Sequence, residues 1–411
     1  MPSTDSASTN SDALGDRQAL EGRAPFWPRK SPHFLAIRHA VVAAVEDERE
    51  TVESGDEAAV RTPDLIVGLS GGADSLALTA ACCAEYPGHV TAVVVDHQLQ
   101  EGSAAVAQRA AQQAESLGAK ARVIAVDVSE SSIREQGMEA AAREARHQAL
   151  RQFAAETAKA EKQAKVAKPH KQNPIILLGH TLDDQAETVL LRLARGGGTY
   201  GLSGIAPKHR WDDGTLVVRP LLQLRRADTE AACQELQLDY WQDPHNSDER
   251  YARVRVRNRV LPAVVKQLGE QTITHLAQTA ADVREDLDAL DEMAEQALRG
   301  MGGNGESGSG VPAVALPIAT IQNHPAAIRK RIYQRWIRQT VGSELHRAQL
   351  EAIDQLVCQY HGQGPVAIPQ PQEKRAEKSV VKQEKKHTGL RRGGGRLVVS
   401  RKSGTLAVLW M

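Results

Sequence analysis

The residues best suited to chemistry are Ser70-Gly71-Gly72-Ala73-Asp74-Ser75, set between an apolar run, Leu65 to Leu69, and a stretch of helical composition, Ala73 to Ala84. Glycines at a strand-to-helix turn let backbone N–H groups converge on an anion, and the helix N-terminus adds positive potential. The hydroxyls of Ser70 and Ser75 can donate to phosphate oxygens. An ionised Asp74 cannot donate, but a carboxylate beside a phosphate nest makes sense if it holds a magnesium ion bridging the phosphates. The G-K-S/T element of a Walker A loop is missing.

A second constellation is Asp183, Asp184 and Glu187. Thr181 and Asp184 fit a T-x-x-D capping box, and acids in a first helical turn suit the macrodipole, so capping alone explains two of the three. Glu187 lies one turn further along an overlapping face. Three carboxylates at the C-terminal edge of a parallel strand also sit where such sheets bind ligands. An ammonium group or Mg²⁺ would then balance them. Arg143 and Arg146 share one helix face, either solvated or turned to a site. His97 and His180 close apolar strands, either as satisfied polar groups or as site residues.

These groups need a scaffold. Leu65–Leu69, His89–Asp96, Arg122–Val128, Ile175–Leu178 and Leu216–Val218 read as strands. Helical patterns at Ala73–Ala84, Ser103–Leu117, Met138 to about Ala158, Asp183–Leu193 and Ala227–Leu236 alternate with them. Such alternation implies βαβ units and a largely parallel sheet. After Asp243-Pro244 it stops. Val260–Arg299 and Pro325–Tyr360 are helical in pattern, and Arg396–Val399 with Leu406–Leu409 could pair around Ser403-Gly404. The expected organisation is a disordered acidic head (1–33), a catalytic α/β domain (34–250) with a Lys-rich insertion (about 155–173), a helical domain (251–370) and a basic tail (371–411).

Two rival motifs fail in context. Gly68-Leu69-Ser70-Gly71-Gly72 fits the G-x-S-x-G nucleophile elbow, but Ser70 follows the first strand, with no earlier strands or oxyanion segment before it. Gly196-x-Gly198-x-x-Gly201 matches a dinucleotide fingerprint in letters, but follows a helix rather than a strand.

With 411 residues, 25% charged and 41% hydrophobic, the chain is ordinary for a globular protein of two or three domains. Aromatics at 3% argue against base stacking as its main mode of reading single strands. No apolar run approaches the length of a membrane span, and the N-terminus lacks the apolar core of a secretory signal. Cys82, Cys83, Cys233 and Cys358 show no C-x-x-C spacing and read as reduced cytoplasmic thiols. The net charge of zero hides an asymmetry: residues 1–60 hold 11 acids and 6 bases, whereas 374–402 hold 11 bases and 2 acids. An acidic head and a basic tail point weakly to a polyanionic partner.

Ser-Gly-Gly-x-Asp-Ser after a first strand resembles the N-type ATP pyrophosphatase (PP-loop) superfamily. Further segments resemble the tRNA(Ile)-lysidine synthases within it. Val95-Asp96-His97-Gln98-Leu99 is similar to V-N/D-H-G-L, with Gln98 in place of Gly. Ala142 to His147 is similar to A-R-x-x-R-Y. Gly179 to Thr188 is similar to A-H-H-x-D-D-Q-A-E-T, with Thr181 for the second His. Arg195 to Gly204, Arg219-Pro220-Leu221-Leu222 and Asp243 to Asp248 follow the family's order, and Arg253 to Arg257 does so with Val254 where Asn is usual. The resemblance runs from Ser70 to Arg257 and on through a helical domain ending near Pro369.

That resemblance implies ATP cleavage between the α- and β-phosphates. Ser70, Gly71, Gly72, Ala73, Asp74 and Ser75 would cradle the nucleotide, with His97, His180 and Gly197 beside it. Asp74 and Asp184 would hold Mg²⁺. Asp74, Arg143, Asp184 and Glu187 would be catalytic. The implied substrates are ATP, free L-lysine and the minor tRNA(Ile) with a CAU anticodon, in the cytoplasm, with no membrane and with room for a homodimer. The wobble cytosine's 2-carbonyl oxygen would attack the α-phosphate, and the lysine ε-amine would then displace AMP. Arg253, Arg255, Arg257 and the bases around Arg329 to Arg338 would contact tRNA phosphates. Paired or carrier cysteines, expected of a thiolating relative, are missing.

Overall fold

Five apolar segments line up side by side to build the first unit, Met1–Asp282. The computed structural model describes residues 27, 31–50, 62–99, 102–163, 173–243, 248–301, 315–370 and 396–411. Most of the acidic head, the core of the Lys-rich insertion, residues 244–247 and 302–314, and the basic stretch before Arg396 lie outside the described residues.

In chain order the first unit contains α1 (Pro32–Glu50), β1 (Leu65–Leu69), α2 (Ala73–Glu85), β2 (Val90–Asp96), α3 (Ser103–Ser116), β3 (Lys120–Ala125), α4 (Glu130–Gln136), α5 (Met138–Gln163) and β4 (Ile175–Leu178). There follow α6 (Leu182–Ala194), α7 (Gly198–Leu202), β5 (Lys208–Arg210), β6 (Leu216–Val218), α8 (Arg226–Glu235), α9 (Ala252–Arg255), a π-helical turn (Val256–Val260), α10 (Leu261–Leu268) and the start of α11 (Gln271–Met301).

The sheet order is β3-β2-β1-β4-β6-β5. All neighbours are parallel except β5, which returns antiparallel to β6. β1 and β4 are apolar throughout because both faces of the sheet are covered. Phe34, Ile37, Leu76, Leu78 and Ala114 pack on one face; Ile66, Val93, Ile176 and Val217 meet Leu150 and Ala154 of α5 on the other. From β1 the chain moves to β2 and β3 on one side, then crosses to β4 on the other. The strand order therefore reverses between β1 and β4, and the crevice at their C-terminal ends is where open α/β sheets take ligands. The phosphate-type loop follows β1, and Gly179-His180 follows β4.

The second unit, Val283–Met411, combines the rest of α11 with β7 (Ala315–Pro317), α12 (Ile318–Ile321), α13 (Ala326–Val341), α14 (Arg347–Cys358), β8 (Val366–Ala367), β9 (Leu397–Lys402) and β10 (Thr405–Trp410). It is smaller and mainly helical, as expected, but a four-stranded antiparallel sheet, β7-β10-β9-β8, closes one side of its core. Trp336, Tyr333, Ile332 and Ile337 of α13 fill that core with Val399 and Val408. The expected hairpin is β9–β10, turned by Ser403 and Gly404, both at positive φ as a two-residue hairpin requires. The first unit keeps Arg253 to Arg257, since the contact boundary falls within α11.

Candidate active site

β1 ends at Leu69, and Gly71 takes φ +85°, a value open to glycine, which turns the chain into α2. The Ser75 hydroxyl ties the loop together. It accepts from the Ser70 N–H at 3.1 Å, donates to the Gly72 carbonyl at 3.1 Å and meets Ser70 Oγ at 3.1 Å. No side chain caps α2 at Gly72, so its first-turn donors face the crevice uncapped, as an anion site needs. Gly179 lets β4 approach this turn: a Cβ there would lie 3.0 Å from the Asp74 carbonyl carbon and oxygen.

Asp74 points from the first turn of α2 to α8. Its carboxylate accepts from Thr229 Oγ1 and lies 3.5 Å from Arg226 Nε. Burial pushes the Asp74 carboxyl up to about 6, a rise that Arg226 and Thr229 only partly oppose.

Arg226 is the hub. Beyond Asp74 it reaches Asp184 Oδ1 at 2.9 Å and Glu187 Oε1 at 3.3 Å. Arg253 meets Glu187 at 3.0 Å and Asp184 at 3.2 Å; Arg257 meets Glu187 at 2.6 and 3.0 Å and Asp184 at 3.3 Å. Glu187 is fully buried. The predicted capping box is present as well: Asp184 Oδ2 accepts from the Thr181 N–H at 2.9 Å, so one oxygen caps α6 while the other takes guanidiniums. Burial works against ionisation of Asp184, yet Arg226, Arg253, His180 and the Thr181 N–H outweigh it and hold the carboxyl far below the usual range. Asp183 turns aside to Arg225 Nε at 3.2 Å and the Arg226 N–H at 2.7 Å.

The structure thus brings Asp74, Asp184 and Glu187 together through arginines. Arg253 and Arg257 face inward on carboxylates, whereas Arg255 binds the carbonyls of Glu249 and Arg250. Arg143 projects from α5 beside this cluster with no hydrogen-bond or ion-pair partner among the described residues. Burial and the nearby Arg253, Arg146 and Arg192 lower its pKa. His180 ends β4, its Nδ1 buried and without a partner among the described residues; burial first, then Arg219, Arg143 and Arg253, against Asp184, bring it down to about 3. His97, after β2, is brought down to about 4 by burial and Arg146, whose guanidinium lies 3.5 Å from its Nε2. Both imidazoles are neutral at pH 7. Gly197 sits past the end of α6, its N–H donating to the Arg192 carbonyl at 2.9 Å.

Sequence reasoning missed Arg225, Arg226 and Thr229. One signal was available: two arginines at a helix N-terminus oppose the macrodipole, which calls for a compensating anion. In the second unit, Arg329, Arg331 and Arg335 are held by Asp354, Asp291 and Glu295, whereas Arg338 is exposed. Burial raises the thiols of Cys82, Cys83 and Cys233, the last two to about 12, so none is a thiolate at neutral pH. Among the described residues no three His, Cys, Asp or Glu side chains converge as a metal cage, and no helix is long and apolar enough to cross a membrane.

The family description "PP-loop domain" matches residues 45–264, and "TilS substrate binding domain" matches residues 316–398. A tRNA(Ile)-lysidine synthase of Rhodococcus erythropolis is 43% identical over 344 residues, covering 82% of this chain and 90% of that protein. One from Mycobacterium bovis is 43% identical over 304 residues, covering 74% and 83%. A solved U34-tRNA thiolase from Methanococcus maripaludis overlaps with a TM-score of 0.46 at 14% identity, covering 62% of this chain and 81% of that one.

Proposed function

Since the chain belongs to the tRNA(Ile)-lysidine synthase family, ATP-dependent ligases built on a PP-loop domain, we propose that its reaction runs in the crevice between β1 and β4. There it joins free lysine to C2 of the wobble cytosine in a CAU anticodon. The observation that carries this reading is the convergence of Asp74, Asp184, Glu187 and Arg226 beside an uncapped Gly-rich turn.

ATP lies with its β- and γ-phosphates on the N–H groups and hydroxyls of Ser70 to Ser75. The cytosine 2-oxygen attacks the α-phosphorus, the bond to the bridging oxygen breaks and pyrophosphate leaves. Preorganised donors at the loop meet the charge that develops on the leaving group. The amine nitrogen then attacks C2 of the adenylated base, and AMP leaves with the bonding pair. Asp74, with Asp184 near it, would hold a magnesium ion. When bound, that ion neutralises charge on the pyrophosphate.

Asp184 and Glu187 already carry Arg226, Arg253 and Arg257, so a lysine ammonium must compete with guanidiniums for them. The same crowding assists the chemistry: with Arg143 and Arg192 near, positive charge favours the neutral, nucleophilic amine. The test is incubation with minor tRNA(Ile), ATP and labelled lysine, followed by nucleoside analysis. Label in a modified cytidine with AMP and pyrophosphate in equal amounts is the expected result. ATP consumption without label in the tRNA would overturn the proposal.

A further inference from the structure

Among the described residues, three other than glycine have positive φ: Gln98, Gln237 and Ser403. Gln237 follows the end of α8 and Ser403 turns a hairpin, both places where the left-handed conformation is routine. Gln98, at φ 55°, has no such excuse. It stands just past the C-terminal end of β2, the strand paired in parallel with β1. The turn is held from below, where the buried Asp96 accepts the Gln98 N–H at 2.9 Å. Glycine would take this conformation without strain. The strained residue instead presents an exposed carboxamide with no partner among the described residues. Strain kept at a site rim is retained for what the side chain does there.

We infer that Gln98 reads the base of the bound nucleotide and selects adenine over guanine. This rests on the proposed ATP site. With the triphosphate on the loop after β1, the charged network fills the β4 and α8 side of the crevice. The base is left the β2 side, where the strand end carries a neutral imidazole, His97, and this carboxamide. A carboxamide pairs in bidentate fashion with adenine, accepting from N6–H and donating to N7. Guanine offers two acceptors there, O6 and N7, so the amide oxygen would face an oxygen.

The experiment measures tRNA- and lysine-dependent pyrophosphate release from ATP and from GTP, together with thermal unfolding, for the full chain. Gln98→Gly should raise Tm, because strain is relieved, and reduce the preference for ATP about tenfold, mainly through the nucleotide KM. Gln98→Leu keeps the strain and removes the amide; it should lose the preference without gaining Tm. Unchanged ATP preference in both variants overturns the inference. Asp74→Asn separates the levels. If it still releases pyrophosphate, the ATP site itself is misplaced and this inference falls with it. If it is inactive while both Gln98 variants stay selective, only the role of Gln98 fails.

Discussion

Asp74 carries two demands that conflict. Burial raises its carboxyl to about 6, above its unfolded value, so the folded chain binds that proton more tightly. Its contribution to stability is therefore complete below about pH 4 and is lost as pH rises through about 6. Asp74→Asn should abolish pyrophosphate release yet raise stability at pH 7 by roughly 1–3 kcal/mol, a gain that fades towards pH 4. Thermal unfolding across pH checks this; a variant less stable at pH 7 would mean that its contacts to Thr229 and Arg226 outweigh its burial. Asp184 works in the opposite sense. Its depressed carboxyl gives stability that is present above its unfolded value and is lost as pH falls through its folded one. Asp184→Asn should cost about 3 kcal/mol, because it leaves guanidiniums short of a buried partner. If chemical denaturation finds less than about 1 kcal/mol, Glu187 alone satisfies the arginines.

At the scale of elements, the site depends on how closely β4 approaches α2. Gly179→Ala would press a methyl against the Asp74 backbone, which cannot yield as a flexible side chain would. We expect at least tenfold slower pyrophosphate release and a stability loss of about 1–3 kcal/mol; wild-type behaviour in both assays would show that this approach does not set the site. The strands that build the crevice were legible because sheets covered on both faces demand unbroken apolar runs, as in Leu65–Leu69 and Ile175–Leu178. β5, β7 and β8 were not, since two or three residues carry no period. The capping box at Thr181 was legible for the same local reason. The Arg226 contacts were not: they join residues 152 apart to Asp74 and 42 apart to Asp184, and spacing along the chain says nothing about such pairs. The inward turn of Arg253 and Arg257 escaped notice on the same account.

Across the whole molecule, a neutral protein that binds a polyanion must concentrate its free positive charge. Many arginines that read as a basic face are spent on partners within their own unit. Arg329→Ala should destabilise by about 2 kcal/mol, by leaving the Asp354 carboxylate with the Tyr333 hydroxyl but without its guanidinium, with tRNA affinity changed little. Arg338→Ala should do the reverse, leaving Tm unchanged and flattening the log–log salt slope of tRNA binding by roughly 0.7–0.9. Deleting residues 374–392 should flatten that slope by about one to three units with the choice of tRNA unchanged. Filter binding over a salt series, with initiator methionine tRNA as competitor, tests both; lost discrimination after the deletion would make the tail a recognition element.

The arginine hub also has a meaning in time. Asp74 leaves the ribosome well before Arg226, and Asp184 and Glu187 before Arg253 and Arg257. At roughly 5–20 residues per second, the interval from Asp74 to Arg257 lasts on the order of 10–40 s. Until it ends the nascent chain has its phosphate turn but not the full set of guanidiniums that fix the carboxylates around it. A half-made chain therefore has no assembled crevice, and the carboxylates of α2 and α6 gain their full set of partners only when Arg257 has emerged.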